Sequence, residues 1–477
     1  MPLPELIEIV PLRQPVRAEI TVPGSKSITN RALVLAALAN GTTTLRGALW
    51  SEDTQVMVEA LKTLGFTLDV QPDAEEASNR TITIEGLGGA IPNTGSVGRP
   101  LDLFVGNAGT AARFLAALVC LGRGAYRLSG IPRMHQRPQA ALFAALRELG
   151  YQVEATNDNL PAIIQGTGPR AHAACTVSIE ASSQFASALL LCAPTGGWKV
   201  TVTGENAEES PYVAMTAKLI EAFPKAGGDF LIEPDASSGS YFLAAQRLVP
   251  SGPERLEFSE RFGVDVTTAE LNLIAVADWP ASGWQIDGRF RDFVFAGAGF
   301  GLDPTDLREL LATHRNDPQE LAARWTELQS KVEVSRKLDL GDSIMTAVVM
   351  APLEFARMKF TDLGRLRLQE CERVVALRTE LTKCGARVVE EGDTLIVYPS
   401  ELHGAEIETY DDHRMAMCFA TLGLKVPGMR IKNPACVKKT FPNFFQKLAA
   451  APPRGLGATM LDVATGRALA GEDLLPA

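Results

Sequence analysis

The chain is poor in residues that build metal centres and disulfide frameworks. It has five histidines with no HExxH or comparable spacing, so no metal site is expected. The cysteines are Cys120, Cys175, Cys192, Cys371, Cys384, Cys418 and Cys436, an odd number without a CxxC pair. Several lie in apolar helical contexts, such as Cys192 in LLLCAP and Cys418 in MAMCFATL. They read as buried, reduced thiols of a reducing cytosol. No uncharged apolar run is long enough to cross a membrane. The opening MPLPELIEIVPLRQP has no basic segment followed by an apolar one, so no signal peptide and a cytoplasmic location are expected. Positive charge is not in excess either. A net charge of −10 argues against wholesale nucleic-acid binding or a polybasic membrane surface. A small anionic ligand remains compatible, because a few local cations suffice to bind one.

What the chain does have is a repeat. Its 477 residues are enough for two or more domains with real cores. Six segments share an alternating strand-like run, a loop of small polar residues and an Ala-rich apolar helix: ITVPGSKSITNRALVLAALA, LDLFVGNAGTAARFLAALV, TVSIEASSQFASALLLCAP, DFLIEPDASSGSYFLAAQR, LDLGDSIMTAVVMAPL and IETYDDHRMAMCFATL. Their loops lie near Gly24, Asn107, Ala181, Asp235, Asp342 and Asp411. A second, amphipathic helix follows each, with predicted starts at Ser51, Gln136, Ser210, Asp287, Gln369 and Thr440. The loop-to-helix spacing agrees within two residues in five units. In the fourth it is longer by roughly two dozen, which places an insertion around Arg247 to Thr268. Paired strand-like runs, FTLDV with TITIEG and ARVVEE with TLIVYP, complete a β-α-β-α-β-β unit. The fourth unit reads as helix at PTDLRELLATHRNDPQELAARWTELQSKV, where a strand pair is expected. Six units suggest two domains of three, with the tail Pro452 to Ala477 outside the repeat.

A helix apolar on all sides belongs in an interior, yet its first N–H groups still need partners. Several such N-termini together attract anions. In GSKSITNR, Ser27 and Arg31 share a helix face behind Lys26. In GNAGTAAR, Thr110 and Arg113 do so behind Asn107, with a glycine that lets backbone approach a ligand. A single loop of this kind reads as capping with solvated arginines. Its recurrence, with Ser182-Ser183-Gln184 in a third loop, favours a binding site. The second half offers acids. Asp342 is expected to cap DSIMTAVVMAPL, and Glu370 to start ECERVVAL, each alone an ordinary first-turn carboxylate. Asp412, His413 and Arg414 form another loop, and His413 alone reads as structural. Lys439 is expected to open the last helix, where a cation opposes the dipole and so points to function.

Taken in order, GSKSITNR, GNAGTAAR, PRMHQRP, SSQF, DASSGSYF, RLQECER, YDDHRMAM and KKTFPNFF resemble the enolpyruvyl transferase family, in its 5-enolpyruvylshikimate-3-phosphate synthase form. The resemblance runs from about Ile20 to Leu448. It implies an α/β fold of two inside-out domains, each of three β-α-β-α-β-β units. One would comprise 23–235, the other 1–22 with 236–450, leaving 451–477 as an extension. The implied ligands bind in the interdomain cleft, which closes on them. The implied reaction moves the enolpyruvyl group of phosphoenolpyruvate to the 5-hydroxyl of shikimate 3-phosphate and releases phosphate. It uses acid–base groups and fixed positive charge, without metal or cofactor, in a monomer.

Carried over by motif, Lys26, Asp342 and Glu370 would be catalytic. Lys26, Asn107, Gly109, Arg133, Gln184, Arg373, Arg414 and Lys439 would hold phosphoenolpyruvate. Ser27, Arg31, Ser182, Ser183, Gln184, Tyr212, Asp342 and Gln369 would hold shikimate 3-phosphate. Arg113 reads as a structural or cleft arginine. Glyphosate would occupy the phosphoenolpyruvate position, beside Gly109. Three departures stand out. Gln369 replaces the family's usual lysine. Glu209 replaces a serine near the acceptor phosphate, where like charges repel unless Ser210 or Arg365 compensates. Phe114 replaces a proline after the GNAGTAxR arginine. The acceptor side is therefore where a different substrate would show. The other alternative is a non-catalytic anion-binding homologue, against which the intact Lys26, Asp342, Glu370, Arg414 and Lys439 speak.

Overall fold

The computed structural model describes residues 3–204, 210–249, 274–295, 332–354 and 357–476, with single positions between 313 and 327. Glu209, most of the insertion after Arg247 and most of the helical reading of the fourth unit lie outside them. The chain divides into two compact units, Met1–Val22 with Ala236–Ala477, and Pro23–Asp235. No helix among the described residues is long and apolar enough to cross a membrane.

The Ala-rich segments are helices whose sides are nearly all covered. In the smaller unit these are Lys26–Leu38, Gly109–Leu118 and Ser183–Gly196, which pack on one another. In the larger unit Ala236–Leu248, Ile344–Met350 and His413–Gly423 do the same. Small side chains at the mutual contacts let three helices share one centre, with strands outside them. That order of layers, helices within and sheets without, suits segments with no polar face to give to water. Chain approach is close at the layer boundary. A Cβ on Gly86 would stand 2.4 Å from the Ala36 carbonyl oxygen and 2.5 Å from that of Ala39, so only glycine lets this strand cross the helix end.

Among the described residues, four four-stranded sheets carry the strand pairs read from the sequence. Leu101–Phe104 runs parallel to Arg123–Ser129, which pairs antiparallel with Ala162–Thr167, itself paired with Gln152–Ala155. The same order recurs with Glu333–Ser335, Met358–Thr361, Thr394–Val397 and Val388–Glu391. The third unit departs from the pattern. Its Ala174–Ser178 and Lys199–Thr203 form a two-stranded sheet, and the following strand, Gly228–Leu231, pairs parallel with Asn40–Leu49 in the first unit's sheet. In the last unit Leu6–Ile9 lies antiparallel between Met429–Lys432 and Met460–Asp462. The segment 451–477 therefore does not lie outside the repeat. It supplies an edge strand, because the last unit draws its strand pair from the two ends of the chain.

Second helices begin near their expected positions, with shifts set by local chemistry. Glu52–Thr63 follows a capping box of Ser51 and Thr54, and Pro211–Ala222 has proline in its first turn. Near Gln136 a short helix, Pro132–Gln136, ends before Pro138, and the longer one starts at Ala140. The helix expected at Gln369 begins at Arg373, and that expected at Thr440 at Phe444.

Candidate functional site

In the smaller unit, Lys26 opens its helix and its Nζ lies 3.2 Å from Asp53 Oδ2. Arg31, 2% exposed, is occupied by the protein itself. Its Nε donates to Thr216 Oγ1 (2.8 Å), its Nη1 to the Ser27 carbonyl (2.8 Å) and its Nη2 to Ser187 Oγ (2.9 Å). Burial pulls its pKa down to about 10. Its guanidinium sits 5.3 Å from the centre of the Phe114 ring, so the residue in place of the family's proline forms part of its bed. Arg31 thus ties three helices together beneath Ser27 and Tyr212, both part-exposed.

The second loop gathers cations. Arg113, also 2% exposed, donates to the carbonyls of Gly109 (3.1 Å) and Pro138 (2.8 Å). Burial, then the neighbouring Arg137, push its pKa well down. Arg137 Nη1 donates to the Asn107 carbonyl at 3.0 Å, while Asn107 Oδ1 is buried without a partner among the described residues. A Cβ on Gly109 would lie 2.6 Å from both Arg113 Nη1 and Arg137 Nη2. The glycine therefore makes room for two guanidiniums at a helix N-terminus. No carboxylate among the described residues pairs with either, so the place has the field of an anion site. Ser182 caps the third helix, accepting from Gln184 N at 3.2 Å, and Gln184 Nε2 reaches Thr110 Oγ1 at 3.2 Å. Ser183 beside it is buried.

Arg133 does not join this group. It is exposed and bonds Gln136 at 3.2 Å. Arg137, four residues on in the same PRMHQRP motif, is the arginine that lies against the Asn107 loop. The turn before Pro138 carries Arg137 back over the Asn107 loop, a fold-back that could have been suspected from the proline.

In the larger unit two carboxylates are each held between two cations. Asp342 Oδ1 meets Arg336 Nη2 at 2.8 Å and its Oδ2 meets Arg414 Nη2 at 3.1 Å. Burial would raise this carboxyl's pKa, but Arg414, Arg336 and Arg373 outweigh it and hold the group ionised, well below the usual carboxylate range. Glu370 Oε2 meets Arg373 Nη2 at 2.8 Å and its Oε1 meets Lys439 Nζ at 3.1 Å. Arg373, 1% exposed, also bonds both oxygens of Asp412 (2.7 and 3.2 Å) and the side-chain oxygen of Gln369. Burial would lower the Arg373 pKa, but Asp412, Glu370 and Asp342 push it above the usual guanidinium value. Asp412 caps the helix His413–Gly423 through Arg414 N at 2.9 Å, and His413 is buried within it. Arg365, the possible compensating cation, is part-buried on the turn Leu363–Leu368.

Three local expectations change. Asp342 is not a cap: the cap position is Ser343, and the Asp342 side chain faces arginines instead. Glu370 precedes its helix, whose cap is Glu372, accepting from Val375 N at 2.5 Å. Lys439 ends the turn Pro434–Lys439 rather than opening a helix, so its significance rests on its ion pair and burial, not on a dipole conflict.

Two further residues had no sequence signal. Asp287, expected only as a helix start, accepts from Gly341 N (2.8 Å), Ser343 N (3.0 Å), Asp342 N (3.2 Å), Ser237 Oγ (2.5 Å) and Ser343 Oγ (2.5 Å). It fixes the backbone that carries Asp342. Arg336 is the other.

Comparison with known proteins bears on this constellation. The family profile of EPSP synthase (3-phosphoshikimate 1-carboxyvinyltransferase) matches residues 10–251 and 316–448. Among similar curated proteins, the 3-phosphoshikimate 1-carboxyvinyltransferase of Vibrio cholerae serotype O1 (strain M66-2) is 38% identical over 91% of this chain and 96% of its own. That of Opitutus terrae is 37% identical over 96% of this chain and 100% of its own. Among solved structures, an EPSP synthase from Acinetobacter baumannii superposes with a TM-score of 0.62 at 19% identity, covering 96% of this chain and 100% of that one. The enolpyruvyl transferase NikO from Streptomyces tendae gives 0.57 at 15% identity, covering 98% and 100%. The two structural likenesses establish the fold, α/β as expected, and the sequence matches establish the family: the chain belongs to the EPSP synthases.

Proposed function

We propose that this chain transfers the enolpyruvyl group of phosphoenolpyruvate to the 5-hydroxyl of shikimate 3-phosphate, as a 3-phosphoshikimate 1-carboxyvinyltransferase of the shikimate pathway. The observation that carries the reading is the pair of carboxylates, Asp342 and Glu370, each fixed between two cations. Addition across the enol needs a base for the acceptor hydroxyl and an acid that protonates C3. Elimination then removes a proton from C3 and expels phosphate from C2. Asp342, kept ionised, suits the base. Glu370, bridged to Lys439, suits proton exchange at C3.

Phosphoenolpyruvate is a polyanion, and Lys26, Arg137, Arg373, Arg414 and Lys439 supply fixed charge for it, with the glycine-opened loop at Asn107–Gly109 beside Arg137. Arg137 takes the part first given to Arg133. Ser182, Ser183, Gln184, Ser27 and Tyr212 are hydroxyl and amide groups suited to the acceptor, with Arg31 supporting them from below. The buried or part-buried free thiols suit a cytoplasmic enzyme, which we take to act as a monomer.

The test is phosphate release from phosphoenolpyruvate with and without shikimate 3-phosphate, with mass analysis of the product and glyphosate as competitor. The expected result is release that requires both substrates, gives an enolpyruvyl adduct and falls with glyphosate in competition with phosphoenolpyruvate. Release that ignores shikimate 3-phosphate would overturn the reading. One observation favours a second reading, a changed acceptor: Gln369 brings no charge, and its oxygen is committed to Arg373. On that reading Gln369→Lys lowers the native activity instead of raising it.

A further inference from the structure

Arg336 lies at the end of the strand Glu333–Ser335, 7% exposed, in a loop wound tightly on itself. Ser335 N donates to Asp339 Oδ2 at 2.8 Å, and Ser335 Oγ to Asp362 Oδ2 at 2.5 Å. The amides of Lys337 and Leu338 both return to Ser335 Oγ at 3.1 Å. Arg336 N reaches the Thr361 carbonyl at 3.1 Å. This loop leaves the backbone little freedom and aims one side chain inward. The destination is Asp342 Oδ1, at 2.8 Å. Arg336 Nε is buried with no partner among the described residues, so the contact with Asp342 is the one ion pair its burial secures there.

Burying a guanidinium costs free energy unless an anion compensates it, and this one is spent on a carboxylate that already has Arg414 on its other oxygen. The two arginines differ in what they can do during turnover. Arg414 follows the cap of a helix whose N-terminus suits an anion, and it is among the cations read as holding the donor. When it turns to a substrate anion, its hold on Asp342 weakens. Arg336, fixed by its loop, does not turn.

Resting on the function proposed above, we infer that Arg336 is a positioning residue for the reaction: it holds Oδ1 of Asp342, keeping the carboxylate oriented toward the acceptor hydroxyl while Arg414 serves the donor. In the proton transfer this implies, Oδ2 accepts the hydroxyl proton as the C2–O bond forms and the enol's π pair moves to C3, which takes a proton from the acid. Arg336 touches neither substrate.

The experiment is a double-mutant cycle on steady-state phosphate release, with Arg336→Met, Asp342→Asn and the two combined. Arg336→Met is expected to lower kcat roughly thirty-fold, less than the ~10²–10⁴-fold that a positioned base contributes in full because the base itself remains, and to leave the KM for phosphoenolpyruvate within about twofold. In the Asp342→Asn background the same substitution is expected to change the rate by less than about twofold, because there is no carboxylate left to position. Arg336→Lys, which keeps the charge but loses the planar fork, recovers most of the loss. Should the methionine variant fail to melt cooperatively, Arg336→Gln, which keeps a polar group but no charge, carries the same cycle. An equal loss in both backgrounds overturns the inference, since Arg336 would then act elsewhere, and so does a kcat unchanged by Arg336→Met. A folded wild type that releases no phosphate removes the proposed reaction itself, a result distinguishable from either.

Discussion

Arg133 and Arg137 show how much a single proline decides. Both belong to PRMHQRP, and both are cations near a loop rich in small residues. The helix Pro132–Gln136 leaves Arg133 on its outer side, bonded to a neighbouring glutamine, while the turn at Pro138 folds Arg137 onto the Asn107 carbonyl. Their substitutions should separate cleanly. Arg137→Met removes a part-buried charge that faces no carboxylate among the described residues. The KM for phosphoenolpyruvate should rise thirty- to a hundredfold, corresponding to roughly 2–3 kcal/mol of a charged contact. Arg133→Met should stay within about threefold. Initial-rate kinetics on both variants decide the matter, and equal effects would mean that neither position is specific for the donor. Lys26, Gly109 and Asp342 could be singled out in the sequence because short recurring motifs carry them. Arg137 could not be told from Arg133, because a chain reversal brings it onto the Asn107 carbonyl, and Arg336 could not, because it precedes the motif in a loop of no recognisable pattern.

At the scale of elements, the interior helices were the most legible part of the fold. A segment such as GTAARFLAAL, in which Arg113 is the one charged residue, admits no surface placement, and all of it is buried. Boundaries were less legible wherever a short turn intervenes: Lys439 and Glu370 were expected on helices and stand on the segments before them. Hardest of all was Asp287. Its carboxylate receives three backbone amides and two hydroxyls from the starts of the helices Ala236–Leu248 and Ile344–Met350, so it fills with a side chain the kind of place where a helix N-terminus otherwise attracts a free anion. Sequence shows only a lone aspartate beyond an insertion. Asp287→Asn keeps the shape but loses the charge and turns a donor toward donors. About 3–5 kcal/mol of stability should be lost, as for a buried charge network broken on one side. Urea unfolding checks this, and activity should fall with it because the Asp342 amide is released. A midpoint equal to that of the wild type would show that the carboxylate is dispensable.

At the scale of the molecule, the chain leaves the larger unit at Val22, completes the smaller one, and returns at Ala236. Its two ends then meet in one sheet, where Leu6–Ile9 is the middle strand of a trio closed by Met460–Asp462. This closure was invisible in the sequence because the partners lie about as far apart as the chain allows, and strand pairing leaves no local trace over that distance. Beyond the strand, Leu456, Met460, Leu469 and Leu474 are buried in the larger unit's core. At ~1.5–3 kcal/mol gross per buried side chain of this size, the tail contributes a sum comparable with the whole net stability of a typical domain. Truncation after Ala451 also bares the outer edge of Leu6–Ile9 and invites strand pairing between molecules. The truncated chain is therefore expected to lose its cooperative melt in the larger unit and to aggregate, while the smaller unit, continuous from Pro23 to Asp235, keeps its protection. Hydrogen exchange followed by peptide distinguishes the two. Rapid exchange throughout the larger unit, Leu6–Ile9 and Met429–Lys432 included, with Arg123–Ser129 still protected, is the expected pattern. Full protection of Leu6–Ile9 in the truncated chain would show that the tail lies on a sheet that does not need it.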